Sequence, residues 1–250
     1  MMKNLSFLLL SIVVLPAMGQ QYHTRYKVRR ASWQRLEVTH TLDDSPLQQA
    51  IDLSVPYKAK VDSIMMPELG LSRCSMSAGR PESLLGNWVA DVFVEGGTAT
   101  GLEPADMGLV NVGGLRNNMP EGIVRVGDIM LISPFQNKLV VLEMKGSDML
   151  ELMRNIAAVG GEGVSSSVRM TISKDNELLS CTINGSEIDP KATYTVSTID
   201  YLAEGNDKMT ALLKALKRHD IDILARDIMS EYVIKHRIID SKIEGRISVE

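Results

Sequence analysis

The dipeptide Asn184-Gly185 does most to limit the folds open to this chain. Asn-Gly accepts positive φ at both positions, so between β-rich runs it marks a tight hairpin and an antiparallel strand pair. Strand patterns precede and follow it: Leu69 to Met76, Met107 to Val112, Ile123 to Val126, Leu139 to Met144, Val168 to Ile172, Leu178 to Ile183, Tyr194 to Ile199 and Arg246 to Val249. Helical patterns interleave with them. Leu84, Leu85, Trp88, Val89 and Val92 form one apolar stripe, a core face in which Trp88 needs no functional role. Ser45-Pro46 reads as an N-cap with proline at the first helical position, and Pro56 as the start of a second helical stretch carrying Val61, Ile64 and Met65. Asp128 to Ile132 reads as a helical turn, and Ser147 as the cap of a helix carrying Met149, Leu150, Leu152, Met153 and Ile156. Helices over Met209–Leu216 and Ile228–Ile234 complete the pattern. Mixed element order with an antiparallel hairpin predicts an α+β fold, mixed sheets packed with helices, rather than a doubly wound sheet.

The N-terminus has the form of a leader. Lys3 precedes an apolar run, Leu5 to Leu15, that is too short to span a bilayer, and Ala17-Met18-Gly19 offers small residues for cleavage. The expected organisation is a signal peptide at 1–19, a basic arm at 20–44 and a single domain at 45–250. The protein is then exported, to a periplasm or the extracellular space, and has no membrane segment after cleavage. The arm holds Arg25, Lys27, Arg29, Arg30 and Arg35 against Glu37, and Tyr22, Tyr26 and Val28 share the parity of an extended strand. The whole chain carries a formal charge of −4, one unit more negative once Lys3 is removed, which argues against nucleic acid as a partner. Cys74 and Cys181 allow a disulfide in an oxidising compartment or two buried thiols in neighbouring strands.

Three loops break the local pattern. LVNVGGLRNN, Leu109 to Asn118, leaves a strand through adjacent glycines and presents an amide, open backbone N–H groups and Arg116. Glycines permit close backbone approach, and a guanidinium grips a phosphate or carboxylate at two points. A second loop carries Phe135 and Asn137 at a strand entry, although aromatic residues make up only 4% of the chain. A third sets Tyr201 before Asp207 across a Gly-Asn turn, where the tyrosine could pack inward and the aspartate could cap the next helix. Together they supply two aromatic faces, a carboxylate and a guanidinium. A nucleotide presents the complement: a base that stacks, a ribose diol that a carboxylate can accept, and a phosphate.

The motifs NVGGLR, PFQN, DYLAEGND and the terminal EGRI, in this order, resemble the C-terminal domain of the 5′-nucleotidase and UDP-sugar hydrolase family. The resemblance covers roughly Ser45 to Glu250. It implies a substrate-binding domain of that fold, in which two aromatics sandwich the base, an aspartate holds the ribose and arginines hold phosphate. Asn111, Gly114 and Arg116 match the glycine-turn motif, Phe135 the first aromatic, and Asn137 closes the same loop. Tyr201 stands where the second aromatic is usually phenylalanine, and Asp207 matches the ribose acid. Arg80 lies near a family arginine but is offset by one residue before Glu82. The loop around Asp207 also departs from the pattern, with Asn206 and Lys208 where the family is richer in glycine.

Catalysis is where this chain and the resemblance part. Enzymes of the family carry an N-terminal dimetal phosphohydrolase domain, and the residues before Ser45 are expected to be a leader and an arm rather than such a domain. Two-metal hydrolysis needs many convergent His and carboxylate ligands. The four histidines, His23, His40, His219 and His236, show no His-x-His or His-Glu-x-x-His spacing, and His219 reads as a helix-end cation beside Asp220. Nor does any Gly-x-Ser-x-Gly pattern suggest covalent hydrolysis. The expectation is a nucleotide-recognition component with no catalytic residue, metal or cofactor of its own, inactive alone. Divalent metals would belong to a separate exported metallophosphatase chain. The alternatives are a non-enzymatic nucleotide or nucleoside receptor, and a structural relic of the domain.

Overall fold

The computed structural model describes residues 29–35 and 47–250. The leader, most of the basic arm and Ser45-Pro46 lie outside the described residues, and 29–35 are exposed without regular structure. The elements run α1 (Gln48–Met65), β1 (Glu68–Ser72), α2 (Leu84–Gly96), β2 (Met107–Val110), β3 (Gly122–Arg125), α3 (Val126–Ile132), β4 (Lys138–Lys145) and α4 (Gly146–Ala158). They continue with β5 (Gly163–Val164), β6 (Val168–Ile172), β7 (Leu178–Ile183), β8 (Ser186–Glu187), β9 (Thr193–Ile199) and α5 (Asp200–Ala203). The last are β10 (Lys217–Leu224), α6 (Ala225–His236), β11 (Ile238–Ile239) and β12 (Ile247–Val249). The fold is α+β with mixed sheets, as the interleaved periods predict.

The central sheet has the order β10-β4-β9-β2-β5. β4 runs antiparallel to β9 in register from Leu139↔Ile199 to Lys145↔Thr193, and β9 runs parallel to β2 through Met107↔Val196. The start of β4 and the ends of β9 and β2 therefore lie at one edge of the sheet. That edge receives the three loops singled out in the sequence. Ser83 caps α2 by accepting the Gly86 N–H at 3.2 Å, and the stripe of Leu85, Trp88, Val89, Val92 and Phe93 is buried. The helix lies so near the sheet that a Cβ at Gly108 would stand 2.0 Å from the Ala90 carbonyl oxygen. Asn184 (φ 51°) and Gly185 (φ 76°) form the expected turn between β7 and β8, in a second sheet of order β12-β6-β7-β8.

Several local readings need correction. Pro56 does not begin a helix but lies inside α1, where the carbonyl it leaves unbonded belongs to exposed Asp52 and water can take it. Ser147 is within α4, whose N-cap is Lys145, and its N–H bonds the Pro190 carbonyl at 3.1 Å. Met209 to Leu216 is not an α-helix: a short 3-10 stretch, Thr210–Lys214, gives way to β10. His219 thus lies in a strand opposite Val141, not at a helix end, because pairing with β4 outweighs local helix propensity. Cys74 and Cys181 are both free and half-buried, and Cys74 lies outside any strand while Cys181 is in β7, so they are not strand neighbours.

The EGRI segment has a structural role. Arg246, only 3% exposed, donates to both oxygens of Asp91 (3.0 and 2.7 Å) and to the carbonyls of Val164 (2.9 Å) and Asn87 (3.2 Å). Glu82 accepts from the Arg246 N–H (3.0 Å) and the Asn87 amide (2.7 Å), tying β12 to α2 and β5. Removing one partner of such a network leaves desolvated acceptors behind. Arg246→Ala is expected to lower the unfolding free energy by about 3 kcal/mol, read as a shifted urea midpoint.

Candidate functional site

Each loop is set by its strand. β2 ends into Asn111, and the chain turns through a 3-10 segment, Val112–Gly114, in which the Gly114 N–H bonds the Asn111 carbonyl at 3.0 Å. A Cβ at Gly114 would lie 2.7 Å from Asn111 Oδ1, so the turn requires glycine there. The Arg116 N–H bonds the carbonyl of Ile132 at the end of α3, 2.8 Å away. Asn137 enters β4 with its carbonyl accepting the Ala225 N–H at 2.9 Å. Tyr201 belongs to α5, directly after β9, and Gly205 (φ 77°) reverses the chain towards Asp207.

These loops close around a cleft of about 420 Å³ lined by Asn111, Gly113, Gly114, Arg116, Phe135, Asn137, Tyr201 and Asp207. Phe135 is 42% and Tyr201 39% exposed, so neither ring is a core residue. The Arg116 guanidinium carbon stands 5.3 Å from the centre of the Phe135 ring, within cation–π range. Asp207 does not cap a helix as its sequence context suggested. Its backbone is left-handed (φ 51°), as is that of Lys208 (φ 67°), and its carboxylate turns into the cleft. One oxygen accepts the Asn111 amide at 2.6 Å and the other the Tyr201 hydroxyl at 3.0 Å. The latter bond, to an anion, holds the Tyr201 phenol above its ordinary pKa. Asn111 Oδ1 is buried with no protein partner, the kind of orphan acceptor that a bound donor satisfies.

Arg80 stands apart from the other candidates. It does not line the cleft; its Nε donates to the Gly161 carbonyl at 2.7 Å and its Nη2 pairs with Glu162. Glu162 is the residue that sequence reasoning missed. Its other oxygen accepts the Val112 N–H at 2.6 Å, inside the glycine turn. Burial pushes its carboxyl above the ordinary range, and the Asp207 charge adds to this, against the pull of Val112 and Arg80. The available signal was an acid set among glycines in Gly160-Gly161-Glu162-Gly163. Among the described residues no three His, Cys, Asp or Glu side chains are grouped to hold a metal ion. His219 lies 3.6 Å from Glu143 on the strand surface.

Comparison with known proteins agrees with this fold. A family model described as the 5′-nucleotidase C-terminal domain matches residues 41–214. The chain belongs to the 5′-nucleotidase family through that domain. It is 26% identical over 234 residues to an apyrase of Aedes aegypti, across 85% of this chain and 41% of the relative. In fold it resembles a 5′-nucleotidase precursor of Thermus thermophilus (TM-score 0.72, 24% identity, 81% of this chain and 43% of that one). An NAD nucleotidase of Haemophilus influenzae is similar too (TM-score 0.64, 18% identity, 90% and 47%). The chain thus spans less than half the length of these relatives.

The exposure of Phe135 separates it from the core phenylalanine Phe93, which is 1% exposed. Phe135→Ala should cost about 1 kcal/mol of stability or less, and Phe93→Ala about 3–5 kcal/mol, measured side by side by urea denaturation.

Proposed function

We propose that this chain recognises nucleotides for an exported 5′-nucleotidase whose hydrolytic centre resides on a separate dimetal phosphatase chain. The observation that carries the reading is the convergence of two part-exposed aromatics, a carboxylate and a guanidinium, from three loops, on one cleft. A base stacks between Phe135 and Tyr201, and since Arg116 covers one face of Phe135, the base takes the other. The ribose hydroxyls are accepted by Asp207, whose oxygens each receive one protein donor and keep a further lone pair. Arg116 meets the phosphate, with Asn111, Gly114 and Asn137 shaping the turn and wall. Arg80 joins the phosphate end through Glu162. Stacking accepts any base, so nucleoside monophosphates and UDP-sugar-type ligands share the site.

The described residues hold no grouped metal ligands, and no hydrolytic step is assigned to them. Attack on phosphate at neutral pH calls for a metal-bound water or an equivalent base. On this reading the divalent ions sit on the partner, and this chain supplies orientation. No described helix is long and apolar enough to cross a membrane, compatible with export into a periplasm or the medium.

Isothermal calorimetry with AMP, UMP and adenosine tests recognition. The wild type is expected to bind AMP and UMP, and Phe135→Ala to weaken both by about 1–3 kcal/mol. No heat with any of the three would make the domain a relic. The same preparation, given AMP and divalent metal, is expected to release no phosphate; robust metal-dependent turnover would overturn the separate-phosphatase reading.

A further inference from the structure

Glu162 is assigned no ligand contact in the recognition set, yet it is among the most completely enclosed charged side chains near the cleft. The residue is 1% exposed, and its carboxylate bridges two things that matter to an anion site. One oxygen accepts the Val112 N–H at 2.6 Å, between cleft residues Asn111 and Gly113; the other pairs with Arg80. Enclosing a carboxylate is costly even when it is paired, so a chain keeps one where its charge holds something in place. Here it holds two. A turn built around glycines has little side-chain packing of its own to fix it, and the Val112 bond supplies a rigid point at its centre. Arg80 keeps a side chain 38% exposed, and its Nε and Nη2 contacts leave further guanidinium N–H groups for a ligand.

We propose that Glu162 is the positioning residue of the cleft. One oxygen fixes the glycine turn and the other presents Arg80 beside it as a second guanidinium for the ligand phosphate. The proposal rests on the nucleotide reading for its ligand, but not for its geometry. The charged groups facing Glu162 are Arg80, from the segment before α2, and Asp207, from the loop after α5.

Glu162→Gln separates the two duties. A glutamine oxygen can still accept the Val112 N–H, but the amide nitrogen then faces Arg80 and cannot hold it. The variant is expected to bind AMP about tenfold more weakly, with adenosine affinity changed by less than about twofold, because adenosine has no phosphate. Unchanged AMP affinity, or equal losses for AMP and adenosine, would overturn the assignment. A second measurement needs no ligand, and its deciding arm is read on the wild type. In isotope-labelled wild type the Val112 amide proton shift should titrate with a midpoint above the ordinary carboxylate range, reporting loss of the Glu162 charge as pH falls. In Glu162→Gln that titration should vanish. A Val112 amide with no such titration in the wild type overturns the proposal. If the wild type binds neither AMP nor adenosine, nucleotide recognition itself fails, and the amide titration alone decides Glu162.

Discussion

The pairing of β4 with β9 is the constraint on which the site depends. Seven registered pairs, Leu139↔Ile199 through Lys145↔Thr193, fix where β4 begins against where β9 ends. Because β2 runs parallel to β9, the same edge also receives the glycine turn. Both strands are largely buried, and a one-residue slip would exchange their core and outward faces, so the register is held by the whole apolar interior. Phe135 precedes β4 and Tyr201 follows β9. Their proximity is thus inherited from the sheet rather than arranged by the loops.

On that frame the cleft is wired by polar contacts that cross from loop to loop. Asp207 ties the third loop to the first through Asn111 and orients its own aromatic neighbour through the Tyr201 hydroxyl. Glu162 ties the first loop to Arg80 from behind. Charge-assisted bonds of this kind are shorter and stronger than neutral ones. None of these bonds uses an aromatic face, and the face of Phe135 that is covered is the one beneath Arg116. The cleft is organised before any ligand arrives, which lowers the ordering cost of binding.

Much of this was legible in the sequence because it is local. The stripe on α2, the Asn184-Gly185 turn and the order of the three loop motifs are written in neighbouring residues. What escaped reading depends on distant partners. Met209 to Leu216 looked helical and His219 looked like a helix end, but Lys217 to Leu224 is a strand because β4 offered it an edge. Glu162 drew no reading at all, since nothing near it in sequence names Val112 or Arg80. Arg80 is not on the cleft wall but is joined to the glycine turn through Glu162, a link that no neighbouring residue in the sequence names. Pro56 misled because a rule about helix interiors was applied to a helix with no buried residue, where solvent can replace the missing bond.

The left-handed backbone at Asp207 has a consequence for how substitutions there are interpreted. Most residues resist that conformation by roughly 1–2 kcal/mol, so nearly every replacement at this position alters the chain's path and the carboxylate together. A lost phenotype would then say little about which mattered. Glycine and asparagine are the exceptions. Both tolerate left-handed backbone, but asparagine is also close in shape to aspartate, so it removes the charge while leaving path and side-chain volume intact. In any mutational survey of this domain, asparagine and glycine at position 207 are the informative alleles, and the rest of that column reports on backbone and chemistry inseparably.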